Sequence, residues 1–345
     1  MIDSDTVPEA SHGGISPRKR RPGMTDFSLS TNPYGPPPFL EAALERARKE
    51  ATQYPDRNPR DLGERIESEL DLDAGEVLTA GSASELLRAA ILAYGMNRSV
   101  LMPRFTYEEY ARIATLGRSR IVRVPMPSYG LRAETLARMV SEESLVVFPN
   151  PGTPFAHYLG RKQLLTILAA VEKKHAIAVV DESYLPFVER GESAAGLSPS
   201  VVTVFSWSKA LGIPGFPFGH ATGHPAVLRG IRTQLLPWSV GPVARHVALA
   251  ALEHEHWVTS TLKRVRSLQV EVRKRLHAST QANYFAIRCG SARKLTQQMF
   301  ERGLVVRDLT ALDLPGHVRF GVRTRYETLR LLEALEELVP NSRAA

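Results

Sequence analysis

Five short runs of β-branched and aliphatic residues constrain this chain more than any other feature: SVLM (99–102), RIVRV (120–124), LVVF (145–148), AIAVVD (176–181) and VVTVF (201–205). Near-continuous apolar runs of this length suit strands buried on both faces, the condition of a parallel sheet. Helical patterns lie between or before them, including LEAALERARKEA (40–51), SELLRAAILAY (84–94), YEEYARIATL (107–116) and RKQLLTILAAVEKKH (161–175). The alternation predicts an α/β fold with three αβα layers around a mixed, mostly parallel sheet. From residue 252 the texture changes to a long helix (252–278), a strand (283–289), a helix (291–302), two strands (304–306 and 317–322) and a last helix (326–338), which reads as a smaller α+β domain. The predicted organisation is a disordered tail over 1–26, an arm over 27–47 that carries STNPYGPPPF (30–39) and joins the small domain, a large domain over 48–251 and a small domain over 252–345.

Charge and cysteine content narrow the class. The net charge is +8, and residues 260–310 alone hold eleven Lys or Arg against three Asp or Glu. A nucleic-acid surface is one reading of such an excess. The segment is also amphipathic, with Val258, Leu262, Val265, Leu268, Val272 and Leu276 at spacings of three or four. A helix with a solvated basic face is therefore the plainer reading, and attraction of an anionic substrate a third. No run approaches the length of a membrane span. One cysteine, Cys289, excludes an internal disulfide and a cysteine cluster for metal, and MIDSDTVPEASHGG has no apolar signal-peptide core. These features predict a cytoplasmic protein.

Polar residues gather just past the apolar runs, where open α/β sheets bind ligands. Asp181 ends AIAVVD, Tyr184 follows three residues later, Asn150 follows LVVF, and Lys209 comes four residues after VVTVF. Gly81-Ser82-Ala83-Ser84 opens a helix, whose free N–H groups and dipole favour a phosphate. Singly, each has a bland explanation: a turn cap for Asp181, a solvated side chain for Lys209, an ordinary N-cap for the serines. Their order along the chain carries more weight than any one of them.

In that order the sequence resembles the fold-type I pyridoxal-phosphate enzymes, the aspartate aminotransferase superfamily, and within it the histidinol-phosphate aminotransferases and threonine-phosphate decarboxylases. The matching pieces include STNPYGP (30–36), QYPD (53–56), TAGSASELL (79–87), FTYEEY (105–110), FPNPGTP (148–154), VVDESYLPF (179–187), FSWSKALGIPG (205–215), PWSV (237–240), GLVVRDL (303–309) and HVRFGVRT (317–324). The resemblance implies pyridoxal 5'-phosphate as cofactor, with Lys209 forming its Schiff base and then moving a proton at the substrate. It implies that Asp181 binds the pyridinium nitrogen, Tyr184 the ring hydroxyl, and that Tyr107 stacks on the ring. Ala83, Ser84, Ser206 and Ser208 would hold the phosphate, and Tyr54 would reach a phosphate across a homodimer interface. Arg319 would clamp the carboxylate of a small amino-acid-type substrate, with Tyr34 and Arg307 along the distal part of the pocket. Asn283 matches a residue of the small-domain strand without an assigned role.

Two positions depart from the family pattern. Pro217 stands where an arginine usually binds the cofactor phosphate, and Thr153 where an asparagine usually touches the ring hydroxyl. Either another group compensates for the arginine, with His220 a candidate, or cofactor binding is weaker, or the chemistry has diverged. The leading expectation is an aminotransferase acting on an amino acid or amino-alcohol phosphate. A threonine-phosphate-type decarboxylase and a biosynthetic enzyme catalysing substitution or C–C bond formation are the alternatives. His254 and His256 are read as surface or interdomain residues and Cys289 as a small core side chain, with no metal site.

Overall fold

A computed structural model describes residues 13–278 and 280–339. β1 (Thr25–Asp26) precedes seven strands that form one sheet: β2 (Val77–Ala80), β3 (Ser99–Pro103), β4 (Arg120–Val124), β5 (Leu145–Pro149), β6 (Ile177–Asp181), β7 (Val201–Ser206) and β8 (Gly219–Gly223). β9 (Tyr284–Arg288), β10 (Leu304–Val305), β11 (Arg307–Asp308) and β12 (His317–Gly321) follow. The large sheet runs β2-β8-β7-β6-β5-β3-β4. β8 is antiparallel to both neighbours and the other pairs are parallel. This is the predicted α/β fold with a mixed, mostly parallel sheet.

The five apolar runs lie at β3 to β7, and alternate residues serve opposite faces. Val100, Leu145, Val147, Val179 and Val204 pack under the helices Ala83–Gly95 and Glu108–Leu116. Leu101, Val146, Phe148, Ala178 and Val180 pack under Ala133–Met139 and Arg161–Lys173. Each fully buried valine, leucine or phenylalanine contributes about 1.5–3 kcal/mol, so both faces resist exposure.

A second body is built on the antiparallel sheet β11-β12-β9. Phe285, Ile287, Val318 and Phe320 point from it into a core shared with the helices Glu255–Leu276, Ala292–Glu301 and Arg325–Leu338. The basic helix buries Leu262, Val265, Leu268, Val272 and Leu276, as its spacing predicts, and turns its charges outward. Several are used locally: Arg275 pairs with Glu336, and Arg266 donates to the Pro186 carbonyl.

The predicted tail needs correction over the part that is described. Residues 1–12 lie outside the described residues. Residues 13–26 are tied to the protein at both ends, with 16–23 exposed between: β1 pairs in parallel with β10, Gly14 N–H donates to Ser28 Oγ at 2.7 Å, and Ile15 N–H donates to Asp26 Oδ2 at 2.8 Å. Polar composition predicted disorder, but the open edge of β10 and two short polar side chains supply partners for that backbone. The arm beyond it is clamped by buried Asn32, whose N–H donates to the Lys209 carbonyl at 2.8 Å. Its Nδ2 donates to Ala210 O and Thr261 Oγ1, both at 2.9 Å. Gly212 sits beneath this contact at φ +70°, and a Cβ there would stand 2.3 Å from Asn32 O, so glycine is required twice over.

Candidate active site

The carboxyl ends of β5, β6 and β7 open into a cavity of about 370 Å³, also lined by the arm, by the start of Ala83–Gly95 and by the three-stranded sheet. A larger open depression of about 710 Å³ lies elsewhere, walled by Arg57, Arg60, Arg229, Arg232 and Leu236. It contains none of the candidate catalytic, cofactor-binding or substrate-binding residues. The smaller cavity gathers Lys209, Asp181, Tyr184, Tyr107, Ala83, Ser84, Ser206, Ser208, Thr153, Arg307 and Arg319.

Register explains how the first of these converge. Asp181, the last residue of β6, lies opposite Pro149 on one side and Val204 on the other. Ser206 ends β7, and Lys209 follows on the short helix Trp207–Leu211. The Asp181 carboxylate is buried and held at both oxygens. Tyr110 O–H donates to Oδ2 at 2.7 Å and Ser183 N–H donates to Oδ1 at 3.0 Å. Burial, and then the Asp181 charge, push the Tyr110 phenol well above its ordinary range, so it stays a proton donor. Tyr107, one turn back, meets Tyr110 edge to face at 5.5 Å and hydrogen-bonds Ser84.

Lys209 Nζ stands 5.1 Å from the centre of the Tyr184 ring, and Tyr184 meets Tyr284 at 4.8 Å. Arg319 lies over the other ring of that pair, 5.0 Å from the Tyr284 centroid, and its Nη1 donates to Thr153 Oγ1 at 2.8 Å. β11 and β12 place Arg307 directly across from Arg319. Burial, and then the Arg319 charge, lower the Arg307 guanidinium to about 10, and Glu108 stands 3.7 Å away as its counter-charge. Two guanidiniums facing one cavity suit an anionic ligand.

Three residues named from the sequence lie elsewhere. Tyr54 is 83% exposed and leans on Trp238 at 4.9 Å. Tyr34 is absent from the cavity wall; its ring lies beneath Arg264, whose guanidinium is 3.8 Å from the centroid. His220 is buried on β8, stacked on Phe205, and its Nδ1 accepts the Trp207 Nε1 proton at 2.9 Å. Burial lowers its pKa to about 3, so it is neutral and cannot replace a phosphate-binding arginine. Pro217 does line the cavity, beside Ser206 and Ser208. Asn283 is fully buried, and neither amide atom has a partner among the described residues.

A profile of the family described as "Aminotransferase class I and II" matches residues 22–335. The chain belongs to the class I and II aminotransferases. Members of this class are pyridoxal-phosphate-dependent transferases. Among curated class members, the chain is 28% identical over 330 residues to a histidinol-phosphate aminotransferase of Symbiobacterium thermophilum, covering 91% of this chain and 90% of that one. It is 27% identical over 328 residues to that of Haloferax volcanii, covering 92% and 90%. The fold is that of solved class members. The histidinol-phosphate aminotransferase of Clostridium acetobutylicum aligns at TM-score 0.84 with 20% identity, over 91% of this chain and 99% of that one. The L-threonine-O-3-phosphate decarboxylase of Porphyromonas gingivalis aligns at 0.78 with 19% identity, over 91% and 99%.

Within this aminotransferase the structure adds residues the sequence did not single out. Tyr110 is the main one, and its signal was spacing, three residues after Tyr107 on one helix. Thr106, Ser183 and Ser30 carry buried hydroxyls on the cavity wall with no partner among the described residues. Unpaired buried hydroxyls are costly unless a ligand or water satisfies them. Together with an amine, a carboxylate and two guanidiniums, these donors fit a polar, anionic, ring-bearing cofactor of the pyridoxal phosphate kind. No helix among the described residues is long and apolar enough to cross a membrane.

Proposed function

We propose that this chain is a pyridoxal-phosphate-dependent aminotransferase of the histidinol-phosphate type, acting on an anionic amino acid or amino-alcohol phosphate. Residues 48–251 are the cofactor domain, and residues 252–345 with the arm 27–47 the substrate domain. The observation that carries the reading is that Asp181, at the end of β6, and Lys209, on the short helix after the neighbouring β7, enter one cavity while Arg307 and Arg319 enter it from another sheet.

Lys209 would be the covalent attachment point, with Asp181 at the pyridine nitrogen, Tyr184 and Thr153 at the ring hydroxyl, and Tyr107 against the ring. When bound, the cofactor supplies an electron sink for the pair left on the substrate Cα. Asp181 would place its carboxylate where the ring nitrogen needs a partner, and the Tyr110 and Ser183 hydrogen bonds fix its orientation. The Lys209 amine would take the proton from the substrate Cα and carry it to the neighbouring carbon where transfer requires it. Arg319 holds the substrate carboxylate as a bidentate fork, already braced by Thr153 and Tyr284. Arg307 receives a second anionic or polar group. The exposed Tyr54–Trp238 pair, with Leu236 at 75% exposure, supports a homodimer in which Tyr54 serves the partner's site. The enzyme would work in the cytoplasm on small molecules.

Borohydride reduction in the presence of pyridoxal phosphate, followed by peptide mapping, tests the reading. The label is expected on Lys209 and is lost in Lys209→Ala. Protein that takes no label at any cofactor concentration would sink the proposal. A keto product formed from an amino donor marks transfer, whereas CO2 release without it marks the decarboxylase.

A further inference from the structure

One wall of the cavity offers hydrogen-bond donors, and the one cation on it among the described residues, Lys209, faces the Tyr184 ring. It is built from the first turn of Ala83–Gly95 and from the segment holding Ser206, Ser208, Pro214 and Pro217. The Ala83 and Ser84 amides are first-turn N–H groups without intrahelical acceptors. Ser84 is bonded to Tyr107, and Ser208 Oγ accepts from Phe218 N–H at 3.4 Å. Ser82 is used as the N-cap, accepting from Glu85 N–H at 3.0 Å.

The ionisable group on this first turn is an acid: Glu85 Oε2 accepts from Gly81 N–H at 3.0 Å. Among the described residues lining the cavity, the cations are Lys209, Arg307 and Arg319. The first faces Tyr184, the second has Glu108 as counter-charge, and the third is held by Thr153. Pro214 and Pro217 bring neither charge nor N–H, and His220 is committed to Trp207.

We propose that this wall seats the cofactor's phosphate with neutral donors alone, so that pyridoxal phosphate is a dissociable cofactor here, taken up and lost in solution. The proposal rests on the reading of the site given above. A helix N-terminus with hydroxyls is enough to orient a phosphate. It does not supply the ion pair and two-pronged geometry that a guanidinium adds to a phosphate contact. A guanidinium on this wall would tighten binding by about one to two powers of ten.

The test is a cofactor titration of the full chain, followed by quenching of tryptophan fluorescence, in wild type, Pro217→Arg and Pro217→Gln. Pro217 is exposed on the wall, so neither variant disturbs the core. Wild type is expected to lose pyridoxal phosphate on desalting. Pro217→Arg should bind it at least about tenfold more tightly, with a steeper salt dependence, and Pro217→Gln by less than about threefold. The gain should vanish with pyridoxal, which lacks the phosphate. Wild type that keeps its cofactor through desalting overturns the proposal, because the cofactor is then not dissociable. So does a Pro217→Arg gain that persists with pyridoxal. If Pro217→Arg does not fold, the desalting result and the wild-type ratio of pyridoxal phosphate to pyridoxal affinity decide. A ratio near that of Pro217→Gln supports neutral seating, and a strongly salt-dependent ratio refutes it. Borohydride labelling of Lys209 at saturating cofactor separates this failure from failure of the site itself. Label with tight wild-type binding refutes only the neutral seat, whereas no label refutes both.

Discussion

Glu182 gives the sharpest test of the energetics beneath the site. Its carboxylate is 3% exposed, directly after Asp181, with Ser193 Oγ donating to Oε2 and Ala194 N–H to Oε1, both at 2.6 Å. Burial, opposed by these two bonds and reinforced by the Asp181 charge, raises its pKa from 4.5 to about 7. The folded protein therefore holds this proton more tightly than the unfolded chain does. Its contribution to stability is complete below the unfolded pKa and is lost as pH rises through the folded one. At 1.36 kcal/mol per pKa step, the loss between pH 4.5 and 7 is about 3 kcal/mol. Glu182→Gln removes the charge and keeps the bonds, because the amide oxygen accepts from Ala194 and the NH2 donates to Ser193. Urea unfolding of the cofactor-free protein at fixed concentration should show the variant close to wild type near pH 5. It should be more stable by about 2–3 kcal/mol at pH 8. Parallel pH profiles for the two proteins would refute the buried-charge argument.

Tyr110→Phe keeps the buried ring and removes the donor to Asp181. It should cost about 1.5–3 kcal/mol in urea unfolding and lower kcat, while Tyr94→Phe, remote from the site, should leave kcat unchanged. Arg319→Lys loses the fork and the Thr153 brace. Its kcat/KM for a carboxylate substrate should fall by about tenfold to a hundredfold, and much less for the matching carboxamide. Trp238→Asp places a charge beside exposed Tyr54 and should shift the mass seen by sedimentation toward the monomer.

The strands legible in the sequence were those buried on both faces, because LVVF and VVTVF can hardly be anything else. β8 was hidden for a physical reason. Its sequence GHATG has no β-branched run, and Gly219 is required because a Cβ there would stand 2.6 Å from Ala83 N. β2 reads VLTA, and with only two large apolar residues it gave a weak signal for the same kind of reading. At the site, Lys209, Asp181 and Tyr184 were legible because each follows a readable strand or its turn. Tyr34 misled because its motif lies in the arm, where Arg264 from a distant helix competes for its ring. Tyr110 was missed because its partner lies 71 residues away in sequence, a contact that only the packing of Glu108–Leu116 against β6 creates. The tail was misread from polarity, which says nothing of a sheet edge waiting for a strand.

The pairing of Arg307 with Arg319 across β11 and β12 has an evolutionary meaning. Both guanidiniums ride on a sheet of three short strands backed by its own apolar cluster, whereas Lys209 and Asp181 belong to the seven-stranded body. On the proposed reading, exchanging Arg307 would alter which molecule is admitted while Lys209 and Asp181 stay in place. A lineage with this layout can change its diet without relearning its chemistry.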